Sequence, residues 1–318
     1  MATLNAATCA TNLRNTGTGT CTIDPGLIGG AIKIPDTLIM TQANLDVLET
    51  FIRTGLFATL KDDRFFPIND FHTPTDSSEA TVWQTFGNGS KKTVRNGRNN
   101  WMFQYSEGAL CRSNSLQSFN FLGTTTWLFW DVNNLLIGRR VKDSTGAWGL
   151  AGVPLTFHAD PWKMATGAEV TKYTVTFDFD PKYINSQLGF VKADFELSDL
   201  QGLQNIVIEP QTTLAAGAVK VRLYSGCNKT NLYDKYKAEI LAGSIFVLTN
   251  TTTGNAIPVT GVADDPNIKG FTISPTVADA DYPAIGASLT LDLISPTALK
   301  TALITPYEGI PVSIVRAS

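Results

Sequence analysis

Apolar residues recur along much of this chain at every second position, the spacing of half-buried strands. The clearest stretch is 170–180 (VTKYTVTFDFD), where Tyr173, Val175, Phe177 and Phe179 alternate with Thr174, Thr176, Asp178 and Asp180. Shorter or weaker strand signals fall at 31–36 (AIKIPD), 81–86 (TVWQTF), in VPLTFHAD and in NIVIEP, and WMFQYSEGAL reads as a strand running into a helix. Residues 124–142 are too apolar to alternate. Trp127, Leu128, Phe129 and Trp130 run together before Asp131, Asn133-Asn134 supplies a turn, and 135–141 resumes as a second strand. One segment keeps a helical period instead: Leu45, Leu48, Phe51 and Ile52 share a face, Thr41 or Asn44 can cap it, and Gly55 can end it. A helix over about 42–54, laid against a sheet, is predicted.

Turn chemistry divides the rest. Residues 57–80, with Pro67 and Pro74, predict a connecting loop with at most one strand. Asn88-Gly89 and Asn96-Gly97 bracket Lys91, Lys92 and Arg95, which suits a polar hairpin. A small-residue linker at 211–217 (QTTLAAG) predicts a domain boundary. Beyond it, VKVRLYSG, SIFVLTNTTTG, AIPVTGV, GFTISP, LTLDLISP and IPVSIVRA read as short strands of an immunoglobulin-like sandwich, without the Cys–Trp–Cys hallmark. The predicted organisation is a Gly/Thr-rich arm or disordered lead-in over 1–30, a β domain over 31–213 and an immunoglobulin-like sandwich over 218–318. The fold class is mainly β: a sandwich or barrel with one packed helix and a long loop, followed by a second sandwich.

Composition points to covered surface. Charged residues are 17% of the chain, against about 25% in an average soluble domain, while 17 Phe, 8 Tyr and 6 Trp are present. Such a surface suits a protein that assembles with copies of itself. A net charge of −3 gives no basic surplus for nucleic-acid binding, and two histidines leave few options for zinc or general-base chemistry. The four cysteines, Cys9, Cys21, Cys111 and Cys227, form no C-x-x-C pair. A chain of this length builds a core without staples, so four free, mostly buried thiols is the simplest reading; a local Cys9–Cys21 disulfide or metal pair is the alternative. No signal-peptide pattern and no long apolar run is visible, as expected of a protein made in the cytoplasm with no membrane contact.

Candidate chemistry is sparse. His158 has Asp160 two residues on, but no G-x-S-x-G marks a nucleophile. No phosphate-binding glycine loop is present. The carboxylate pairs Asp178/Asp180, Asp62/Asp63 and Asp264/Asp265 lack EF-hand spacing or a histidine partner. No catalytic residue, metal site or cofactor is predicted, and the protein is read as a non-enzyme. The basic cluster Lys91, Lys92, Arg95 and Arg98 could meet phosphates, an acidic neighbour in an assembly, or only solvent. Trp83, Trp101, Trp148 and Trp162, if exposed, could stack on sugars, which makes a glycan-binding adhesin a rival.

The Gly/Thr-rich arm, the lone helix at 42–54, the polar loop at 86–100, the pair YTVTFDFD and NIVIEP, and the stretch from VRLYSGCNKTNLYDKY to PYEGIPVSIVRA together resemble virion proteins of tailed bacteriophages, especially those infecting Bacteroidetes-type bacteria. The chain looks most like a major tail tube protein carrying a C-terminal immunoglobulin-like domain. That resemblance implies rings, hexameric in the family, stacked into a tube that conducts DNA and the tape measure protein. Tail terminator and baseplate proteins would be further partners, and the virion tail, built in a bacterial host, the location. Residues 86–100, with Lys91, Lys92, Arg95 and Arg98, would touch the adjacent ring; Asp178 and Asp180 would face the lumen; the last domain would decorate the outside. A major capsid protein, a head decoration protein, a tail terminator and a baseplate component are the rivals within the virion. A capsid subunit of the common kind should show a long spine helix that is missing here.

Overall fold

The computed structural model describes residues 4–6, 26–105, 109–167, 171–180, 187–215, 217–226 and 229–317. The chain is mainly β. It divides into two units, Met1–Leu56 with Leu60–Gln201, and Phe57–Thr59 with Gly202–Ser318.

The first unit opens with β1 (Asn5–Ala6), β2 (Ile28–Ile34), β3 (Ile39–Met40), α1 (Gln42–Asp46) and α2 (Leu48–Leu56). Next come β4 (Phe66–Ile68), β5 (His72–Asp76), β6 (Val82–Thr85), β7 (Lys91–Arg95), β8 (Asn100–Tyr105) and α3 (Ala109–Gln117). It closes with β9 (Thr124–Asp131), β10 (Leu135–Lys142), β11 (Trp148–Ala151), β12 (Val153–Ala159), β13 (Tyr173–Phe179) and β14 (Leu188–Lys192). Twelve strands make one sheet along the path β1-β14-β10-β9-β12-β13-β8-β5, with β2, β3, β4 and β11 off it; β6 and β7 pair only with each other.

β9 is the centre of that sheet. One of its edges takes β2; the other takes β12 along 124–127 and β10 at 129–130. Every residue from Thr125 to Asp131 is buried. A strand covered on both faces has no reason to alternate, which accounts for the unbroken apolar run. On one face Trp127 and Phe129 join Phe157 of β12, Phe177 and Phe179 of β13, and Phe103 of β8 in an aromatic core. Phe177 is its hub: the rings of Phe71, Phe103, Trp127, Phe129 and Phe157 all lie 5.1–5.9 Å from its own. On β2, Gly30 admits Trp130; a Cβ there would sit 2.1 Å from the indole.

The expected helix is present as two. Thr41 N donates to Asn44 Oδ1 (2.9 Å) at its start, Val47 departs from helical geometry, and α2 continues through Gly55 to Leu56. Leu45, Leu48, Ile52 and Leu56 are buried. Gly55 does not end the helix. It makes room for Phe65, whose ring a Cβ would meet at 2.6 Å. Residues 57–80 hold two strands rather than one, because Pro67 and Pro74 sit where a missing N–H is tolerated, in β4 at the sheet margin and in a bulged edge strand.

The second unit contains β15 (Gln204–Pro210), β16 (Val219–Ser225), β17 (Thr230–Asn231), α4 (Tyr233–Ala242), β18 (Phe246–Asn250) and β19 (Ala256–Ile257). It continues with β20 (Val259–Asp265), β21 (Gly270–Pro275), β22 (Ser288–Leu293), α5 (Pro296–Thr301), β23 (Tyr307–Ile310) and β24 (Val312–Val315). One sheet runs β20-β21-β16-β15-β23 with β17 on β16; the other runs β19-β18-β22-β24. Val221, Leu223, Phe271 and Ile273 of the first share a core with Leu248, Leu289 and Leu291 of the second, which makes this unit a two-sheet sandwich. The boundary differs from the expectation at 211–217. β15 pairs antiparallel with β16 and parallel with β23, so it belongs to the second unit, and the small-residue stretch is a connection between two paired strands. Of the expected 1–30 arm, residues 7–25 lie outside the described residues; Asn5 and Ala6 pair with Phe190 and Gly189 of β14, and Ile28 already belongs to β2.

Candidate functional site

The polar segment around 86–100 is the tip of a longer hairpin. Its root is the β5–β8 pair at one end of the large sheet, where Asp76 faces Trp101. The same register continues outward: Ser77 N donates to Asn100 O (2.9 Å), Glu79 pairs with Arg98, and Val82 pairs with Arg95. One bulge beyond Val82 brings in Trp83↔Thr93, Gln84↔Lys92 and Thr85↔Lys91. The turn is held by Asn88, whose Oδ1 accepts from Ser90 N (3.0 Å) and Ser90 Oγ (2.7 Å), with Gly89 at φ +80°. From Asp76 to that turn, at about 3.3 Å per residue, the ribbon reaches about 40 Å. All residues from 82 to 96 are exposed. They include Val82, Trp83 (56% exposed), Phe86 and Val94 (61%).

The four cations divide into two pairs. Near the root, Arg98 Nη2 meets Asp178 Oδ2 at 2.5 Å, and Arg95 Nη2 meets Glu79 Oε2 at 3.0 Å. Near the tip, Lys91 and Lys92 have no partner among the described residues. Asp178, which the resemblance would turn to the lumen, is the counter-ion of Arg98. It lies on the β13 face opposite Phe177 and Phe179, with Thr174 and Thr176, and both Asp178 and Asp180 are half-buried. β5, the outermost strand, is blunted by a bulge, by Pro74 and by Thr73 at φ +46°.

The remaining candidates stay apart. Trp101 is half-buried, with ring centroids 4.6 Å from Phe179 and 5.2 Å from Phe129, so it is part of the core. Trp83, Trp148 and Trp162 are exposed on the hairpin, on β11 and in the loop after β12. Arg140 lies over the Trp148 ring at 4.1 Å. His158 Nε2 is 3.3 Å from Asp160 Oδ1 at the surface, and His72 is on the exposed edge strand. Among the described residues no group of three or more His, Cys, Asp or Glu could hold a metal, and no helix is long and apolar enough to cross a membrane. Cys111 is disulfide-bonded, contrary to the free thiols expected; Cys9, Cys21 and Cys227 lie outside the described residues. In the second unit, Asp264 and Asp265 are not loop carboxylates. They end β20, where Tyr233 Oη of α4 donates to Asp264 Oδ1 (2.6 Å), Lys237 Nζ pairs with Asp264 Oδ2, and Lys220 Nζ pairs with Asp265 Oδ2 at 2.6 Å. Lys237 first, then Tyr233, hold the Asp264 carboxyl below the usual carboxylate range.

No protein-family model matches the chain, and no curated protein matches it. Its class rests on its own geometry: a mainly β protein of two units, the first carrying a long exposed hairpin.

Proposed function

We propose that this protein is a non-enzymatic structural subunit that assembles with copies of itself, and that its assembly is the stacked-ring tube implied by the resemblance to phage tail tube proteins. The observation that carries the reading is the hairpin. A two-stranded ribbon is marginally stable alone in water, and this one displays Val82, Trp83, Phe86 and Val94 to solvent. Docking on another molecule would bury those side chains and rigidify the ribbon. The outer edge of β5 is itself blunted, so the contact falls to the exposed ribbon beyond it rather than to edge-to-edge pairing of the large sheet. In a tube, neighbouring tail proteins would cap the ends and DNA would pass without being held, which agrees with a net charge of −3.

Negative-stain microscopy and mass photometry of the purified full chain test this. Rings, stacked into tubes, are expected. Removing residues 82–95 should leave the large sheet folded and abolish stacking. A wild-type chain that stays monomeric at every concentration would refute the assembly reading, and normal tubes from the shortened chain would refute the hairpin's part in it.

A further inference from the structure

Charge is segregated along the sheet of the first unit. Residues 77–99 contain Lys91, Lys92, Arg95 and Arg98 against Glu79 alone, a net charge of +3. The whole chain carries −3, so everything outside the hairpin carries −6. The hairpin leaves the sheet from β5 and β8, at one end of the strand path. β14 runs directly into residues 193–201, which contain Asp194, Glu196 and Asp199 and no cation.

This acidic segment is a fixed knuckle. Leu197 and Leu200 are buried beneath it. Leu197 N donates to Asn134 Oδ1 (3.1 Å), and the carbonyl of Leu200 accepts from Asn69 Nδ2 (2.7 Å). Asp194, Glu196 and Asp199 all stay exposed. Glu196 Oε2 accepts from Asn134 Nδ2 (2.8 Å), whereas Asp194 and Asp199 meet no partner among the described residues. The preceding Lys192 is engaged with the carbonyl of Asn133. The other exposed acidic doublet of this unit, Asp62–Asp63, is flanked by Lys61 and Arg64 and has no local surplus of charge.

We propose that Lys91 and Lys92 at the hairpin tip of one copy dock on Asp194 and Asp199 of a second copy. The proposal rests on the self-assembly reading above and names its contact. The two surfaces are unlike patches, and where the contact is not reciprocated within one pair it is heterologous. Such a contact passes from copy to copy until a ring closes or a filament grows. The charges set partner choice and register, while Trp83 and Phe86 beside the lysines supply apolar burial.

Charge reversal tests it, with sedimentation velocity as the readout. One variant carries Lys91→Glu and Lys92→Glu; the other carries Asp194→Lys and Asp199→Lys. All four positions are exposed, and near-ultraviolet circular dichroism checks that each variant keeps the native fold. Alone, each should need roughly tenfold more protein to assemble, the scale of losing two ion-pair contacts. Mixed together, they should assemble like the wild type, because the acidic tip of one meets the basic knuckle of the other. The fourfold variant should recover as well. A neutral pair, Lys91→Gln with Lys92→Gln, should weaken assembly to a smaller degree. Raising NaCl from about 0.05 to 0.5 M should weaken the wild type and the mixture alike. Wild-type assembly by either charge-reversed variant alone, or no recovery in the mixture and the fourfold variant, overturns this contact while leaving self-assembly standing. A monomeric wild type removes self-assembly itself.

Discussion

Replacing Phe177 by alanine tests the packing that holds the hairpin root. Phe177 is 0% exposed, pairs in register with Trp101 beside that root, and touches five other rings. Truncating a buried phenylalanine costs about 3–5 kcal/mol. Each edge-to-face pair lost adds about 0.5–1.5 kcal/mol beyond area, without simple additivity, so the upper end of the range is expected. The cavity cannot collapse easily, because its walls come from β8, β9 and β12, each fixed by its own ladder. All 6 tryptophans lie between residues 83 and 162, within the first unit, so tryptophan fluorescence follows that unit alone. With a urea m-value of about 2–3 kcal/mol/M, the fluorescence midpoint should fall by about 1.7–2.5 M. Phe121→Ala is the control: that ring is 92% exposed, and its loss should change stability by about 0.5 kcal/mol or less. A Phe177→Ala cost below about 1.5 kcal/mol, or one equal to the control, would refute the hub assignment.

Three further outcomes follow from particular contacts. Asp131, 1% exposed, accepts from Gly26 N (2.7 Å), Asn133 N (2.9 Å) and Leu135 N (2.8 Å) at the β9–β10 turn. Asp131→Ala should cost about 2–4 kcal/mol in urea melts, and Asp131→Asn less because one acceptor oxygen remains; equal stability of all three proteins would show that the turn is held otherwise. A double-mutant cycle on Arg98 and Asp178, whose side chains are 40% and 27% exposed, should give a coupling of about 0.5–1 kcal/mol, and zero coupling would free Asp178 for an independent role. Asp264 is held below the usual carboxylate range by Lys237 and Tyr233, so its contribution is present at neutral pH and is lost as pH falls below the ordinary value of about 3.9. Acid titration followed by circular dichroism should therefore show the second unit loosening below about pH 4, with Asp264→Asn flattening that loss; an unchanged acid profile in the variant would remove the clamp.

Strand identity was legible wherever one face of a strand is core and the other is not. β13 alternates because Phe177 and Phe179 face the aromatic core while Thr176 and Asp178 do not. The run through Trp127–Trp130 was legible for the opposite reason, since both its faces are covered. The hairpin's turn was visible in Asn88-Gly89, but its length was not. Between Asp76 and Val82 the outgoing strand is Ser, Glu, Ala and Thr, exposed almost throughout, so no periodicity records the ladder. Helix α4 has Tyr233, Tyr236 and Ile240 at the helical spacing i, i+3 and i+7, but that pattern covers only ten residues and is kinked at Tyr236. Helix α5 did carry a signal, Ser295 as cap with Pro296 at the first helical position. The Arg98–Asp178 pair joins residues 80 apart, and nothing in the local pattern of either one announces the other.

That pair also bears on what kind of arm the hairpin is. Ordering a residue costs about 1–2 kcal/mol of backbone entropy, and from 82 to 96 almost no burial offsets it within one copy. The restraints lie toward the base: the continuous register, Arg98 on Asp178 and Arg95 on Glu79. Toward the tip, Lys91 and Lys92 remain unpaired beside Trp83 and Phe86. A nucleic-acid-binding ribbon would gain from free cations along its whole length, because affinity for a phosphate backbone grows with the number of phosphates neutralised. Here the inner cations are neutralised by the protein's own carboxylates and only the outer two are free. The gradient favours a ribbon aimed from its base with a small, mixed apolar and cationic end, which matches a discrete protein surface better than a polyanion.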